Sequence, residues 1–273
     1  MTEKNHVDVS VVVPCFCCGK TIDRAIESVV QQTMRPLELI LVDDASGDDT
    51  RAVLEKWHRK YPDWIRLVCL DANVGAGMAR NEGWRLARGK YIAFLDSDDS
   101  WHPSKLEIQY AYMESHPDIQ LSGHGHTIGS SPLFSPSQRV HARLLSCWRV
   151  LVKNPFVTPS VMLRRMLPNR FAEGRRYMED HLLWLEVVLA GGQIALLEMP
   201  LATLHKGQVG VAGLSNHIRA MSKADFGNYW VLYKKNLIGA PMLSVCWAWT
   251  SVKFLRRAIV FGVPRVWRRW RDG

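Results

Sequence analysis

Four short apolar runs alternate with four segments of helical periodicity over the first 115 residues of the chain. The apolar runs predict β-strands, and the segments between them carry apolar residues at three- and four-residue spacings. The predicted strands cover residues 8–14, 37–42, 65–70 and 91–95, and the predicted helices cover 19–32, 48–60, 77–87 and 103–115. This alternation predicts an α/β fold whose central, Rossmann-like sheet is mostly parallel and flanked by helices.

Polar residues follow each of the four predicted strands. In chain order, the strand ends carry Cys15, Asp43 with Asp44, the segment 71–73, and Asp96 with Asp98. Ligands of open α/β sheets bind beyond the carboxyl ends of the strands. The sequence therefore predicts one polar site along a single edge of the sheet.

The turn after the fourth predicted strand, Asp96-Ser97-Asp98-Asp99, is the most acidic of these ends. Buried negative charge without a partner is costly, so we expect these carboxylates at the mouth of the strand. Carboxylates two residues apart suit a hard divalent cation that keeps water or phosphate oxygens as further ligands. Taken alone, the turn is more typical of a solvated cap for the next helix, because Asp and Ser favour that role.

The second half of the chain has a less regular pattern. Strands are predicted over 119–128, 158–163 and 193–204, helices over 179–190 and 216–235, and irregular segments over 129–138 and 207–213. His124 and His126 are expected on one side of the first of these strands, because residues two apart in a strand share a face.

Six cysteines are scattered without the spacing of a disulfide framework, and no secretory signal precedes the first predicted strand. This usage favours a reducing cytoplasm. Cys15 and Cys18 form one Cys-x-x-Cys, but no second pair at zinc-site spacing follows. On spacing alone, neither a zinc site nor a redox function is expected there.

The net charge of +9 is concentrated at the C-terminal end. Residues 253–273 contain seven Lys or Arg against one Asp, which places +6 of the total in the last 21 residues. The surplus indicates a local patch for an anionic partner. Nucleic acid is not expected as that partner, because no recognisable nucleic-acid-binding module accompanies the patch.

Residues 237–263 combine apolar side chains with this positive charge. The longest uncharged run, 236–252, has 17 residues, fewer than the about 20 that a membrane-spanning helix needs. Trp247, Trp249, Trp267 and Trp270 add aromatic groups suited to a bilayer interface. The pattern predicts a helix lying on an anionic membrane, and the alternative is a helix packed on the rest of the protein with a solvated basic end.

Five motifs stand in register along the chain. They are Val11-Val12-Val13-Pro14, Val42-Asp43-Asp44-Ala45-Ser46, Asn73-Val74-Gly75 with Ala79-Arg80-Asn81, Asp96-Ser97-Asp98-Asp99, and Met178-Glu179-Asp180-His181. In order and spacing they resemble glycosyltransferase family 2, over roughly residues 8–215. The resemblance implies a GT-A fold, a nucleotide-sugar donor, a divalent metal (Mn²⁺ or Mg²⁺) and inversion at the anomeric carbon.

The resemblance assigns the donor to the strand ends. The residues implied to contact the nucleotide sugar are Pro14, Asp43, Asp44, Asn73, Gly75, Arg80, Asp96 and Asp98. One of Asp43 and Asp44 is implied to accept the imide hydrogen of uracil, with the choice between them open. Gly75 allows a close backbone approach, and a helix N-terminus together with Arg80 favours a diphosphate. Ser46 is expected to cap the helix predicted from residue 48.

The metal is implied to bind at the acidic turn. Asp98 would be the direct ligand, and Asp96 would hold the ribose or a metal-bound water. The metal would stabilise the charge that develops on the departing diphosphate. His205 loosely resembles a metal-binding histidine of GT-A enzymes, and a hydrogen-bonded or surface histidine is the alternative.

Asp180 is the predicted general base. The pair Glu179-Asp180 begins a predicted helix with an apolar face, which would aim one carboxylate into the cleft from the helix N-terminus. A carboxylate that only caps the helix is the alternative. The residues considered for the acceptor cleft without an assigned role are His124, His126, Asn154, Thr158 and Ser160.

The sequence therefore predicts a glycosyltransferase that is cytoplasmic and peripheral at the inner face of the plasma membrane. It would move a sugar from a nucleotide donor, UDP-linked in the leading interpretation, to a lipid-linked or glycan acceptor for surface polysaccharide. The expected units are a catalytic domain over 1–215, divided into a donor half (8–118) and an acceptor half (119–215), and a helical tail over 216–273. A nucleotidyltransferase is disfavoured because residues 15–20 lack a glycine-rich triphosphate loop, and Asp96, Asp98 and Asp180 argue against a non-catalytic binding module.

Overall fold

A computed structural model describes residues 6–129, 140–205 and 214–271, with side chains of the last segment described for residues 220–256. The segment 207–213 and nearly all of 129–138 lie outside these ranges, as do the side chains of Trp267 and Trp270.

The elements alternate as the first half of the sequence predicts. The strands are β1 (His6–Cys15), β2 (Arg35–Asp43), β3 (Ile65–Cys69), β4 (Tyr91–Phe94), β5 (Ser100–Trp101), β6 (Ile119–Ile128), β7 (Ala142–Leu144), β8 (Met162–Arg164) and β9 (Gln193–Leu204). The helices are α1 (Ile22–Val30), α2 (Thr50–Lys60), α3 (Ala76–Leu86), α4 (Lys105–Ser115), α5 (Cys147–Val152), α6 (Glu179–Leu189), α7 (Leu214–Lys234) and α8 (Ala240–Arg271).

The described strands form one nine-stranded sheet in the order β3-β2-β1-β4-β8-β6-β9-β5, with β7 paired to β9. The first four strands of this order are all parallel, which confirms the predicted Rossmann-like half. The second half is more antiparallel than expected, since β8 runs against both β4 and β6 and β9 is parallel only to β6. The parallel half places the ends of β1, β2 and β4 at one edge.

The expected strand over 158–163 is shorter and displaced. Thr158–Ser160 form a 3₁₀ turn, and the strand begins only at Met162. Proline at position 159 has no N–H to donate to a strand ladder, so the chain turns there before pairing.

Helices cover both faces of the sheet, which explains the continuous apolar runs of β1, β2 and β4. Val12, Ile40 and Phe94 face one core, formed with α3, α5, α6 and the C-terminal helices. The alternate positions Val11 and Leu41 face a second core, formed with α1, α2 and α4. Full burial of such a side chain stabilises the fold by about 1.5–3 kcal/mol.

The C-terminal helices share the first of these cores. Tyr229 of α7 is fully buried and donates from its hydroxyl to Leu151 O at 2.6 Å. Leu243 and Cys246 of α8 are also buried there. The first turns of α8 therefore pack on the core of the α/β sheet, as the alternative expectation held, while the outer face of α8 stays exposed. Among the described helices, none combines the length and apolar content needed to cross a membrane.

Candidate active site

A cavity of about 460 Å³ opens at the carboxyl ends of β1, β2 and β4. It is lined by Pro14, Cys15, Phe16, Cys17, Cys18, Thr21, Asp44, Asn73, Ala76, Arg80, Asp96, Ser97 and Asp98. Six of the residues implied to bind the donor are in this lining. Asp43, Gly75, Asp180 and His205 are not part of the lining.

Asp44 shapes the loop that forms one wall of the cavity. Its Oδ1 accepts from the Val74 N–H at 2.7 Å and its Oδ2 from the Gly75 N–H at 2.9 Å. Gly75 has a φ of +88°, a conformation that favours glycine. The Asn73 amide donates to the Asp44 carbonyl oxygen at 3.2 Å. One carboxylate thus positions the loop and lines the cavity.

Asp43 has a different environment from its neighbour. Its side chain is buried, and its Oδ1 accepts from the Ser46 N–H at 3.1 Å. Ser46 does not cap α2, which begins at Thr50, but accepts from the Cys17 N–H at 3.0 Å. Asp43 and Ser46 therefore hold the turns after β1 and β2 together.

Arg80 is a buried guanidinium that joins two distant parts of the chain. Its Nη2 donates to Asp96 Oδ1 at 2.7 Å, and its Nη1 donates to Glu179 Oε1 at 3.4 Å. Burial alone lowers the pKa of Arg80, but the two carboxylates outweigh burial and raise it. Burial also raises the pKa of Glu179, against the opposing charge of Arg80. Arg80 thus ties the acidic turn to the start of α6.

The acidic turn is anchored from several sides. The Asp99 N–H donates to the Asp96 carbonyl at 3.1 Å, and Arg24 donates to the Asp98 carbonyl at 2.5 Å. Asp99 is buried and accepts from the His205 N–H at 3.2 Å. These contacts hold the backbone of the turn while the Asp96 and Asp98 side chains line the cavity.

His205 contacts the turn through Ser100. Its Nε2 is 2.8 Å from Ser100 Oγ, and burial lowers its pKa, which favours the neutral ring. The described residues contain no group of three His, Cys, Asp or Glu close enough to hold a metal ion. The carboxylates of Asp96 and Asp98 are hard oxygen donors, which fit a Mg²⁺ or Mn²⁺ ion that takes its other ligands from a diphosphate and water.

Asp180 lies in the first turn of α6, half-buried, beside the Arg80-bonded Glu179. Its Oδ2 accepts from Asn154 Nδ2 at 3.2 Å and from Thr158 Oγ1 at 3.4 Å. Two of the residues considered for the acceptor cleft therefore hold the predicted base in place.

The remaining residues considered for the acceptor have other surroundings. His124 is buried and burial lowers its pKa to about 3, so its ring is neutral, with Nδ1 2.7 Å from the Gly125 carbonyl oxygen. His126 is exposed, and the pairing of β6 with β9 shifts register on either side of Gly125. The two histidines therefore differ in burial. Ser160 is buried and donates to the Val157 carbonyl.

Three features of this site were missed from the sequence. Phe16 lines the cavity with 53% of its surface exposed, which leaves an aromatic face available for stacking. Glu179 is the Arg80 partner in α6, and its sequence context predicts no role apart from being adjacent to Asp180. Cys17 and Cys18 also line the cavity. The sequence does contain a signal for Phe16, because this aromatic residue stands two positions after Pro14, near the end of the first predicted strand.

Residues 10–172 match the sequence pattern described as Glycosyl transferase family 2. This match covers more than half of the chain and includes every predicted donor residue.

Two bacterial relatives extend the match. A protein named UDP-Glc:alpha-D-GlcNAc-diphosphoundecaprenol beta-1,3-glucosyltransferase WfgD, from Escherichia coli, is 34% identical over 185 residues, covering 66% of this chain and 69% of that protein. Succinoglycan biosynthesis protein ExoO from Rhizobium meliloti is 32% identical over 242 residues, covering 80% of this chain and 67% of that protein. Other relatives match over shorter stretches, and the chain spans 41% of the length of two of them.

Two solved structures share the fold. TarS of S. aureus (residues 1–349), in complex with UDP-GlcNAc, superposes with a TM-score of 0.68 at 21% identity, covering 93% of this chain and 73% of that one. The mannosyltransferase PcManGT of Pyrobaculum calidifontis, in complex with GDP-Man and Mn²⁺, superposes with a TM-score of 0.61 at 16% identity, covering 93% and 76%. At these identities the likeness shows the fold.

Proposed function

The chain belongs to glycosyltransferase family 2, and from this premise we propose that it transfers a sugar from a UDP-linked donor to a lipid-linked or glycan acceptor, with inversion, in bacterial surface-polysaccharide synthesis. The observation that carries the proposal is the Arg80 bridge between Asp96 and Glu179. It couples a cavity suited to a nucleotide diphosphate with the carboxylate Asp180. The name of WfgD, which states a UDP-glucose donor and a diphosphoundecaprenol-linked acceptor, supports this substrate class, and the name of ExoO supports a part in polysaccharide synthesis.

Asp44 and Phe16 form the proposed uracil site. A carboxylate has about four acceptor positions, and Asp44 uses one on each oxygen for the 73–75 loop, so it retains capacity for the imide N–H. We assign this role to Asp44 and not to Asp43 because only Asp44 lines the cavity. The exposed ring of Phe16 supplies a stacking face for the base.

Arg80, the N-terminus of α3 and the acidic turn form the proposed diphosphate site. Ala76, the first residue of α3, lines the cavity, and the N–H groups of a helix N-terminus favour an anion. Asp98, with Asp96, would hold the divalent cation. When bound, the cation supplies Lewis-acid stabilisation of the leaving diphosphate.

Asp180 is the proposed general base. It accepts the proton of the acceptor hydroxyl as that oxygen attacks the anomeric carbon and the bond to the UDP oxygen breaks. Asn154 and Thr158 orient its carboxylate by donating to Oδ2. A single displacement of this kind inverts the anomeric centre.

The substitution Asp180→Asn tests this assignment. We expect transfer from the donor found in a nucleotide-sugar screen to fall about 10²- to 10⁴-fold, with affinity for UDP, measured by calorimetry, near the wild-type value. Asp118→Asn, at an exposed position, is the matched control. A variant that keeps most of its turnover would contradict the role of Asp180. Tight UDP binding with no transfer from any donor would favour a non-catalytic binding module. Release of pyrophosphate would favour a nucleotidyltransferase.

The outer face of α8 is the proposed contact with an anionic membrane at the cytoplasmic side. Val245, Trp249, Val252 and Leu255 are exposed along one side of this helix, and the basic residues that follow add charge complementary to anionic lipid. Trp249 also donates to the Val152 carbonyl at 3.1 Å, two residues before Asn154. The surface is therefore linked to the segment that orients the base.

Charge placed on this face tests the membrane contact. The double substitution Val252→Glu and Leu255→Glu should markedly reduce co-sedimentation with vesicles containing phosphatidylglycerol. Met166→Glu, at an exposed apolar residue elsewhere, should leave co-sedimentation unchanged. Equal binding by all three proteins would contradict the proposal.

A further inference from the structure

The residue that follows the proposed base has no part in the transfer described above. His181 is buried in the first turn of α6. Its backbone N–H donates to Asp180 Oδ1 at 2.6 Å, which leaves Oδ2 to accept from Asn154 and Thr158. The first N–H groups of a helix have no partner within the helix, so this N–H is free to hold the carboxylate.

The ring of His181 is anchored to α5. Its Nε2 lies 2.7 Å from the Val150 carbonyl oxygen. A carbonyl oxygen can only accept a hydrogen bond, so Nε2 carries a proton and donates. Val150 lies four residues before Asn154. The ring therefore joins α6 to the segment that carries another support of the base.

The second ring nitrogen faces a buried carboxylate of α7. His181 Nδ1 lies 3.6 Å from Asp225 Oδ1, and neither atom has a hydrogen-bond partner among the described residues. Asp225 Oδ2 accepts from Lys253 Nζ of α8 at 3.1 Å. Burial alone raises the pKa of Asp225, but His181 and Lys253 outweigh burial and lower it. An ionised carboxylate thus stands between the ring and the lysine.

These polar groups are costly if they serve stability alone. The side chains of His181 and Asp225 are 1% and 4% exposed. A buried ion pair often stabilises a fold no more than apolar residues of similar volume would. The contacts do, however, restrain a ring whose own backbone N–H holds the proposed base.

We propose that His181 is a positioning residue for the general base Asp180, and that Asp225 and Lys253 hold its ring in place. The ring fixes the backbone of residue 181 against α5 and α7, and the N–H of that residue fixes Asp180 Oδ1. No proton passes along these groups, which act by keeping the carboxylate aimed at the acceptor hydroxyl. The inference rests on the proposed function of Asp180.

Hydrogen exchange of the full chain, resolved to single residues, tests the contact without any substrate. Asp225→Asn keeps the shape of the side chain and removes its charge. It should speed exchange of the His181 amide at least about tenfold, because the contact with Asp180 then opens more often. The amides in the last turn of α6 should keep their wild-type rates.

Glu186→Gln is the matched control for this experiment. Glu186 is another buried carboxylate that pairs with a lysine, with Oε1 2.8 Å from Lys235 Nζ, and it lies more than one turn along α6 from Asp180. The His181 amide should exchange at the wild-type rate in this variant. Equal His181 rates in Asp225→Asn and Glu186→Gln would refute the positioning role.

Kinetics test whether the contact acts through the base. UDP-glucose, UDP-galactose and UDP-N-acetylglucosamine serve as donors with water as the acceptor, and the rate of UDP release is measured. Asp225→Asn should lower kcat about tenfold or more, with the KM for the donor near the wild-type value. It should lower kcat no further when Asp180 is already replaced by Asn, because both changes disable one group. Lys253→Arg, which keeps the charge, should retain more activity than Lys253→Met.

Each kinetic result has an outcome that contradicts it. A wild-type kcat in Asp225→Asn would overturn the inference, and so would an equal loss with and without Asp180→Asn, which indicates a general loss of structure. Equal kcat values for Lys253→Arg and Lys253→Met would overturn the part assigned to Lys253. A wild-type protein that releases no UDP from any of the three donors counts against the proposed function, and hydrogen exchange then still decides whether Asp225 maintains the contact between His181 and Asp180.

Discussion

Replacing Arg80 by methionine removes the charge that joins Asp96 to Glu179 and keeps an unbranched side chain against Phe171. The guanidinium side chain is only 6% exposed and donates at 2.7 Å and 3.4 Å. Removing one partner of a buried ion pair costs about 3–5 kcal/mol, because the remaining charge stays unpaired. Asp96 and Glu179 keep 26% and 14% of their side-chain exposure, so solvent screens part of this cost. We therefore expect the free energy of unfolding to fall by about 3 kcal/mol.

The stability that Arg80→Met loses should be larger at neutral pH than at mildly acidic pH. Burial raises the pKa of Glu179, and the Arg80 charge opposes that rise, so the pKa of Glu179 should rise further in the variant. A carboxyl with a raised folded-state pKa stabilises the fold below its unfolded pKa, and this stabilisation is lost as the pH rises through the folded pKa. The deficit of Arg80→Met relative to wild type should consequently shrink between neutral and mildly acidic pH.

Urea denaturation at the two pH values measures both effects. Arg85→Met is the matched control, because Arg85 lies on the same helix and pairs with Glu82 at the exposed surface, where such pairs contribute about 0–1 kcal/mol. If Arg80→Met and Arg85→Met have the same urea midpoint, the bridge is not a stabilising link. A deficit that does not change with pH would refute the part assigned to Glu179.

Two further predictions concern packing around the site, each measured by urea denaturation. Lys105 is fully buried, its Nζ lies 3.8 Å from the Trp101 ring centroid without a hydrogen-bond partner among the described residues, and burial puts its pKa well below the usual range. Lys105→Met should raise the free energy of unfolding by about 1–3 kcal/mol at neutral pH. This gain in stability should shrink as the pH approaches the pKa of lysine in the unfolded chain. A gain that does not change with pH would contradict the conclusion that burial lowers the pKa of the Lys105 amine. Gly83→Ala would place a Cβ 2.3 Å from Val12 Cγ1 and should cost about 1–3 kcal/mol. Gly47→Ala, with nothing within 4 Å, should cost little, and equal effects would contradict close packing of α3 on β1.

The parallel half of the sheet could be predicted from the sequence because its information is local. Each of β1, β2 and β4 is buried on both faces in its central part and therefore contains a continuous run of four apolar residues. The second half was harder to predict. Its short strand β8 pairs with neighbours distant in sequence, and no local pattern records such a pairing.

Part of the candidate site could also be predicted from the sequence, and part could not. Asp44, Asn73, Arg80 and Asp98 could be grouped from the sequence, because the ends of parallel strands meet at one edge of a sheet. The sequence could not separate Asp44 from Asp43, since adjacent residues of one type have the same local signal. Their difference lies in which backbone N–H groups they meet, on the 73–75 loop for one and at Ser46 for the other.

By itself, the sequence determined the fold class, the family and the edge of the sheet at which the candidate site lies, because periodicity and motif order are properties of the chain. Only the tertiary structure decided that Arg80 bridges Asp96 and Glu179, and that Asn154 and Thr158 hold Asp180. The physical reason is that these interactions act only over short distances in space. A hydrogen bond or ion pair forms over about 3 Å, and folding alone brings residues far apart in sequence within that distance.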